Sequence, residues 1–213
     1  MLERNILIVD DNPRIASIYI PAYSVEIDSL KSTSDKWQQY SFKIDHCATM
    51  REALEFLSES KYCVDVLVVD YDFNGESTFS SGTAFVKYVR ESINRYCQIV
   101  FYTMQGITSI DKDELVDLVN SDVYKLVDKS DDHAAMAKVL FDAATLRNPT
   151  VESLERFYSR YSSMLQSYKY CISGEIVCFD EIINHIRMDD KQGRLFVDKL
   201  LQKAILLDVD IEA

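Results

Sequence analysis

Residues 66–75, VLVVDYDFNG, place four consecutive aliphatic residues directly before two carboxylates. Three of the four are β-branched and Asn74-Gly75 marks a turn soon afterwards, which indicates a strand buried on both faces. Asp70 then lies at the carboxyl end of this strand. Ligands bind at this edge of open parallel sheets, so we expect Asp70 and Asp72 to belong to a functional site.

Four further strands alternate with helices around this stretch. Apolar runs predict strands over residues 5–9, 42–46, 64–69, 98–102 and 123–127. Helical periodicity predicts a first helix that begins at Pro13 and kinks or ends at Pro21. It predicts four more, over residues 48–59, from residue 82 onward, and over residues 111–119 and 133–146. Alternating strands and helices form a parallel sheet covered on both faces. Residues 1–146 are therefore predicted to form an α/β domain with a five-stranded, parallel, doubly wound sheet.

The remaining residues, 147–213, are predicted to form a separate, small all-helical segment. Asn148-Pro149 breaks the preceding helical pattern and marks the boundary. Apolar periodicity predicts one helix ended by Ser173-Gly174 and two more over residues 175–187 and 191–207. A segment of this size buries too little to be robust alone. We therefore expect it to act in output or dimerisation, by contacting the first domain, a second copy or a protein partner.

Charge and hydropathy disfavour two classes of partner. The chain has 23 basic and 35 acidic residues, a net charge of -12, and such a surface repels phosphate backbones. Residues 147–213 contain nine basic and eleven acidic residues and no concentration of cations, so nucleic acid is not the expected partner. The sequence has no run of eighteen or more apolar residues. The expectation is a cytoplasmic protein with no membrane span.

Polar side chains follow the ends of several predicted strands and should meet at one edge of the sheet. They are Asp10, Asp11, Asp70, Asp72, Thr103 and Lys129. Crowded carboxylates repel one another unless a cation lies among them, and an oxygen-only ligand set suits Mg²⁺. Thr103 and Lys129 add a hydroxyl and an ammonium group, which suit an anion. A phosphoryl group is the natural substrate, with Asp70 as the nucleophile.

Four motifs in order resemble the receiver domain of response regulators in two-component signalling. They are ILIVDDNPRI (6–15), VDVLVVD (64–70), QIVFYT (98–103) and KLVDKS (125–130). The resemblance implies a flavodoxin-like fold and a signalling role without enzymatic turnover beyond slow autodephosphorylation. It also implies that Asp70 accepts a phosphoryl group from a histidine kinase or a phosphotransfer protein.

The resemblance assigns a role to each site residue. Asp10 or Asp11 would bind Mg²⁺ together with Asp70 and the backbone carbonyl of Asp72. The two remaining site residues, Thr103 and Lys129, would contact the phosphoryl group.

The chain departs from the receiver pattern near the phospho-acceptor. Its loop at residues 71–82 is long and lacks proline, and Met104 stands where a small residue is usual. We expect the thioether to cover the phospho-acceptor partly and to slow phosphorylation or hydrolysis. Leu126 replaces the aromatic residue that usually precedes the lysine by three positions. Tyr102 or Tyr124 is expected to take over its switching role, unless the coupling differs.

Two alternatives stay open at this point. The first is a receiver-like interaction module that is not phosphorylated. The second is an aspartate-nucleophile phosphatase of the haloacid-dehalogenase type, because Asp70-Tyr71-Asp72 resembles its D-x-D motif. That motif normally follows the first strand of the core, and the later acidic metal motif is missing because SDDHAAM (130–136) is not on a predicted strand. Continuous turnover of a phosphate ester would distinguish a phosphatase from a receiver.

Overall fold

The computed structural model describes residues 2–58, 63–73, 78–94, 97–104, 106–129, 132–146, 149–165, 167–172 and 174–209. The chain divides into two compact units, Met1–Leu146 and Arg147–Ala213. Among the residues described, no helix has the length and apolar character needed to cross a membrane.

A five-stranded parallel sheet forms the centre of the first unit. Its strands are β1 (Leu2–Val9), β2 (Tyr40–Cys47), β3 (Val66–Asp70), β4 (Gln98–Thr103) and β5 (Lys125–Asp128). They lie in the order β2-β1-β3-β4-β5, and every adjacent pair is parallel. This is the doubly wound order in which the chain reverses direction between β1 and β3. The fold class predicted for this part of the sequence is confirmed.

Five helices connect and cover these strands. They are α1 (Ile20–Lys31), α2 (Met50–Ser58), α3 (Gly82–Ser92), α4 (Lys112–Asn120) and α5 (His133–Thr145). A π-helical turn, Ile15–Tyr19, leads directly into α1. Pro21 lies in the first turn of α1, directly after the π-helical turn, so its missing N–H falls where the hydrogen-bond pattern changes. The proline therefore marks the change from π to α geometry and does not end the helical segment.

Two apolar layers enclose the sheet, and side chains alternate between them along each strand. Leu67 and Val69 of β3 pack on the side of α2, α3 and α4, whereas Val66 and Val68 pack on the side of α1 and α5. Both layers are buried, which explains why β3 is an uninterrupted aliphatic run. The same alternation assigns Asp70, two residues after Val68, to the side of α1 and α5.

The second unit contains a β-hairpin that the sequence analysis did not predict. Its elements are α6 (Pro149–Leu165), β6 (Lys169–Ile172), β7 (Glu175–Cys178), α7 (Phe179–Met188) and α8 (Lys191–Val209). The strands are antiparallel, and Gly174 adopts a φ of 91° at their connection, in the left-handed region.

The all-helical description of residues 147–213 is therefore wrong, although the three predicted helices are present. Two short apolar runs on either side of a Ser-Gly pair favour a hairpin, and they were interpreted as helix ends. Ser173 itself lies outside the described residues. The hairpin contributes Ile172 and Val177 to an apolar cluster with Ile182 of α7, which stabilises the strands.

Candidate functional site

Three polar side chains lie in a row across adjacent strands at the carboxyl edge of the sheet. Val9 of β1 is in register with Val69 of β3, so Asp10 lies beside Asp70, and Asp70 is in register with Tyr102 of β4. Neighbouring residues in register on parallel strands point to the same face. Asp10, Asp70 and Tyr102 therefore converge on the side of α1 and α5.

Asp10 is fully buried and accepts several hydrogen bonds. Its Oδ1 accepts from the backbone N–H of Asn12 at 2.8 Å. Its Oδ2 accepts from the hydroxyl of Tyr102 and lies 2.8 Å from Nζ of Lys129. Its backbone oxygen is 2.7 Å from Nε2 of His46. The carboxylate is thus held in one orientation by three donors from three segments of the chain.

Asp70 is also buried, but only one of its carboxylate oxygens is paired. Its Oδ2 accepts a hydrogen bond from Lys129 Nζ at 2.6 Å. Its Oδ1 is buried and accepts no hydrogen bond from any residue that the structure describes. Burial raises the pKa of Asp70 to about 6, against the opposing hydrogen bond and positive charge of Lys129. The metal-free site therefore stabilises the ionised carboxylate poorly, and Oδ1 is available for a cation or a reacting atom.

Lys129 connects the two aspartates. Burial lowers the pKa of Lys129, but its hydrogen bonds with Asp10 and Asp70 outweigh burial, so that its pKa is raised overall. The lysine is charged at neutral pH. Its Nζ also lies 4.6 Å from the ring centroid of Tyr102, within the range of a cation–π interaction. One ammonium group cannot neutralise both carboxylates, and a net negative charge remains in the site.

The carboxylates have a suitable arrangement for a divalent cation. Asp10, Asp11 and Asp70 each offer an oxygen, and these oxygens all lie within 4.8 Å of one another. Oxygen ligands of this kind suit Mg²⁺, and Oδ1 of Asp70, which has no hydrogen-bond partner among the described residues, could serve as one of them. Asp72 lies in the loop that follows, with a half-buried side chain outside this cluster. The proposed role of its backbone carbonyl stays a prediction.

The predicted residues on β4 and beyond it lie at the same edge of the sheet. Thr103 is buried, and its backbone oxygen accepts a hydrogen bond from the backbone N–H of Lys129 at 2.7 Å. The contact of its hydroxyl with a phosphoryl group stays a prediction. Met104 is 74% exposed, so most of its side chain is in solvent. The expected slowing of phosphorylation by Met104 stays a prediction.

Gly82 sets how closely α3 approaches β3, the strand that carries Asp70. A Cβ atom on Gly82 would lie 2.3 Å from the backbone oxygen of Asp70 and 3.2 Å from the ring of Phe101. Only glycine permits this approach, because any side chain would force the helix or the strand to move. The sequence analysis identified Gly82 as the start of a helix but not as a contact of Asp70.

Two tyrosine hydroxyls in the site were not predicted from the sequence. Tyr102 donates to Asp10, although it had been considered only as a switching residue. Tyr71 donates to Oε2 of Glu114 at 2.7 Å and so connects the loop after Asp70 to α4. This hydrogen bond and partial burial raise the pKa of Tyr71 to about 12. Strand alternation could have indicated the position of Tyr102, because it shares a face with Asp70 on the next strand.

Among known proteins, the chain is similar to solved structures at low identity only. No protein-family model and no curated protein matches the chain. A response regulator receiver domain protein (CheY-like) from Methanospirillum hungatei JF-1 has 15% identity and a TM-score of 0.47, covering 67% of this chain and 93% of that chain. A response regulator receiver domain protein from Clostridium thermocellum has 13% identity and a TM-score of 0.49, covering 66% and 94%.

The first unit has a flavodoxin-like, doubly wound fold. Its strand order and parallel pairing, described above, carry this assignment. A third solved structure, RcsB from Salmonella enterica serovar Typhimurium bound to promoter rprA, has 17% identity and a TM-score of 0.46, covering 73% of this chain and 75% of that chain. At these identities, and with TM-scores below 0.5, the likenesses assign no role to the site residues.

Proposed function

We propose that this chain is a response regulator whose receiver domain accepts a phosphoryl group on Asp70 in a Mg²⁺-dependent reaction. The observation that carries the proposal is the buried Asp70 carboxylate, with one oxygen on Lys129 and the other unpaired among the described residues. A nucleophile needs an unoccupied lone pair, and a transferred phosphoryl group needs positive charge beside it. Asp70 and Lys129 meet both requirements.

The proposed reaction forms one bond and breaks one bond. An oxygen of Asp70 attacks phosphorus, and the bond between phosphorus and the donor's histidine nitrogen breaks as the imidazole leaves. Lys129 neutralises charge on the transferred oxygens, and the hydroxyl of Thr103 donates to one of them. Asp10, Asp11 and the backbone carbonyl of Asp72 would hold Mg²⁺ together with Asp70. The ion would offset the negative charge that the carboxylates and the phosphoryl oxygens accumulate.

Labelling with a small phosphodonor tests this proposal. The chain is incubated with acetyl phosphate with and without Mg²⁺, and intact mass is measured. One added phosphate is expected in the parent, only with Mg²⁺, and none in Asp70→Asn. The matched control, Asp28→Asn, removes a carboxylate that is 75% exposed on α1 and should label like the parent. Equal labelling of Asp70→Asn would show that the acceptor is another residue.

The alternatives predict different results in the same experiment. A receiver-like interaction module would add no phosphate under any condition. A phosphatase would release inorganic phosphate continuously, whereas a receiver stops at one phosphate per chain. The side chain of Asp72 lies outside the carboxylate cluster formed by the described residues, which disfavours the D-x-D interpretation.

We also propose that the second unit transmits the signal through protein contacts made by α8. The first half of α8 packs in its own unit, where Leu195 and Phe196 contact the apolar clusters. Every side chain from residue 198 to 206 is exposed, including four large apolar ones: Leu200, Leu201, Ile205 and Leu206. A short helical stretch without packing is marginal in water. A protein partner or a second copy of the chain would stabilise it by covering these side chains.

A further inference from the structure

We infer that Tyr102 is a positioning residue that holds Asp10 in the metal-free site and competes with Mg²⁺ for its carboxylate. The inference rests on the proposed function, because it assumes that the acid cluster binds Mg²⁺. The hydroxyl of Tyr102 thereby has a partner, Asp10, and a role that the four receiver-like sequence motifs do not indicate. Its consequence is that the hydroxyl lowers the affinity of the site for the metal.

The contacts of Asp10 show how the tyrosine acts. The side chain of Asp10 is 0% exposed, so water cannot solvate its charge. Its Oδ2 receives two donors, the hydroxyl of Tyr102 and Nζ of Lys129 at 2.8 Å, and its Oδ1 receives the backbone N–H of Asn12 at 2.8 Å. A carboxylate offers about four lone-pair directions, and the three donors to Asp10 occupy three of them. A cation that approaches Asp10 must take the remaining direction or replace a donor.

Tyr102 is the donor that is least constrained by other charges. Lys129 also binds Asp70, and the N–H of Asn12 belongs to the backbone. The hydroxyl of Tyr102 is a neutral donor to Oδ2 of Asp10. A hydroxyl bound to a carboxylate withdraws part of the charge that would otherwise attract a cation.

Tyr102 is buried in the apolar layer of α1 and α5 and lies beside a cavity of the first unit. This cavity has a volume of about 850 Å³ and is also lined by Tyr19, Tyr23, Met136 and Val139. The backbone of Tyr102 is fixed, because its carbonyl accepts from the N–H of Tyr71 at 3.0 Å. A shift of the hydroxyl away from Asp10 would therefore leave the register of β4 with Asp70 unchanged.

Removal of the hydroxyl alone, in Tyr102→Phe, tests the inference. A charge-assisted hydrogen bond that is present only in the metal-free state should, when lost, tighten Mg²⁺ binding by roughly five- to tenfold. The same change should lower the stability of the metal-free protein. Urea unfolding of the full chain at increasing MgCl₂, followed by Trp37 fluorescence, measures both quantities, because the rise of stability with metal gives the dissociation constant.

The matched control is Tyr124→Phe, which removes a hydroxyl from a half-buried tyrosine packed on the same apolar layer. Its Mg²⁺ affinity should equal that of the parent. Tighter binding in Tyr102→Phe alone supports the inference, since a purely structural role would not raise the affinity. Equal or weaker binding in Tyr102→Phe, with a normal response in the parent, overturns the inference and leaves the proposed function intact. No response to Mg²⁺ in the parent overturns both.

Discussion

Replacement of Asp70 by asparagine should stabilise the first unit in the absence of metal, and the gain should depend on pH. Burial raises the pKa of Asp70 from 3.8 to about 6 in the folded protein. A carboxyl group whose pKa is higher in the folded than in the unfolded protein stabilises the folded state when it is protonated. Its contribution to stability is therefore largest near pH 4, decreases as the pH rises to about 6 and stays at its minimum above that. Asparagine does not titrate, so the variant does not lose stability in this way as the pH rises.

The magnitude follows from the size of the shift. Each unit of pKa difference between folded and unfolded states corresponds to about 1.4 kcal/mol, so a shift of roughly two units corresponds to about 3 kcal/mol. Asp70 is only 4% exposed, so solvent screening reduces this value little. The free energy of unfolding of Asp70→Asn minus that of the parent should thus increase by up to about 3 kcal/mol between pH 4 and pH 7.

Urea unfolding in the presence of a chelator, read by tryptophan fluorescence, provides the assay. Trp37 is the single tryptophan of the chain, and its ring lies 5.2 Å from that of Phe141 and 5.9 Å from that of Tyr40. Its signal therefore reports on the first unit. Asp28→Asn is the control for removal of one carboxylate and should show no comparable dependence on pH.

The opposite result would refute the reasoning. If the parent were the more stable protein at pH 7, the ion pair between Asp70 and Lys129 would outweigh the cost of burying the charge. A difference that does not change between pH 4 and pH 7 would mean that Asp70 has an ordinary pKa. Addition of Mg²⁺ should cancel the advantage of the variant, because only the parent retains this carboxylate ligand.

Three further substitutions have expected outcomes. Asp11→Asn should weaken the response of unfolding to Mg²⁺ without lowering metal-free stability, because it relieves like-charge repulsion; a less stable metal-free variant would indicate a structural role. Gly82→Ala should destabilise the first unit by about 1–3 kcal/mol and slow labelling of Asp70, since its Cβ would meet the backbone of that residue; unchanged unfolding and labelling would contradict the close approach. Leu200→Glu should reduce self-association or partner binding, measured by light scattering and pull-down, and leave phosphorylation unchanged. Tight, sequence-selective binding of duplex DNA by the full chain, lost in a variant truncated after residue 146, would refute the protein-contact role of the second unit.

Much of the first unit could be predicted from the sequence because its signals are local. Buried aliphatic runs such as 66–69 identify the strands, and the alternation with helices requires a parallel order. The carboxyl ends of the strands then converge, which brings Asp10, Asp11 and Asp70 together without knowledge of any side-chain contact. Their roles in phosphorylation and metal binding remain proposals that the experiments above test.

The second unit was less predictable because its signals are short. Each strand of the hairpin has four residues, and a run of this length fits either a strand or a helix end. Packing of Ile172 and Val177 against α7 favours the strands. Only a tertiary contact therefore selects between two local structures of similar propensity.

The sequence by itself determined the succession of strands and helices, the edge at which the acids meet and the lysine that follows them. Only the tertiary structure decided that the hydroxyl of Tyr102 binds Asp10, that Oδ1 of Asp70 is unpaired among the described residues and that α3 contacts the backbone of Asp70 at Gly82. The physical reason is that sequence periodicity indicates the face to which a side chain points but not the atoms that it contacts. Which atoms share a hydrogen bond, and which buried atom has no partner, depends on strand register and on burial from both faces of the sheet.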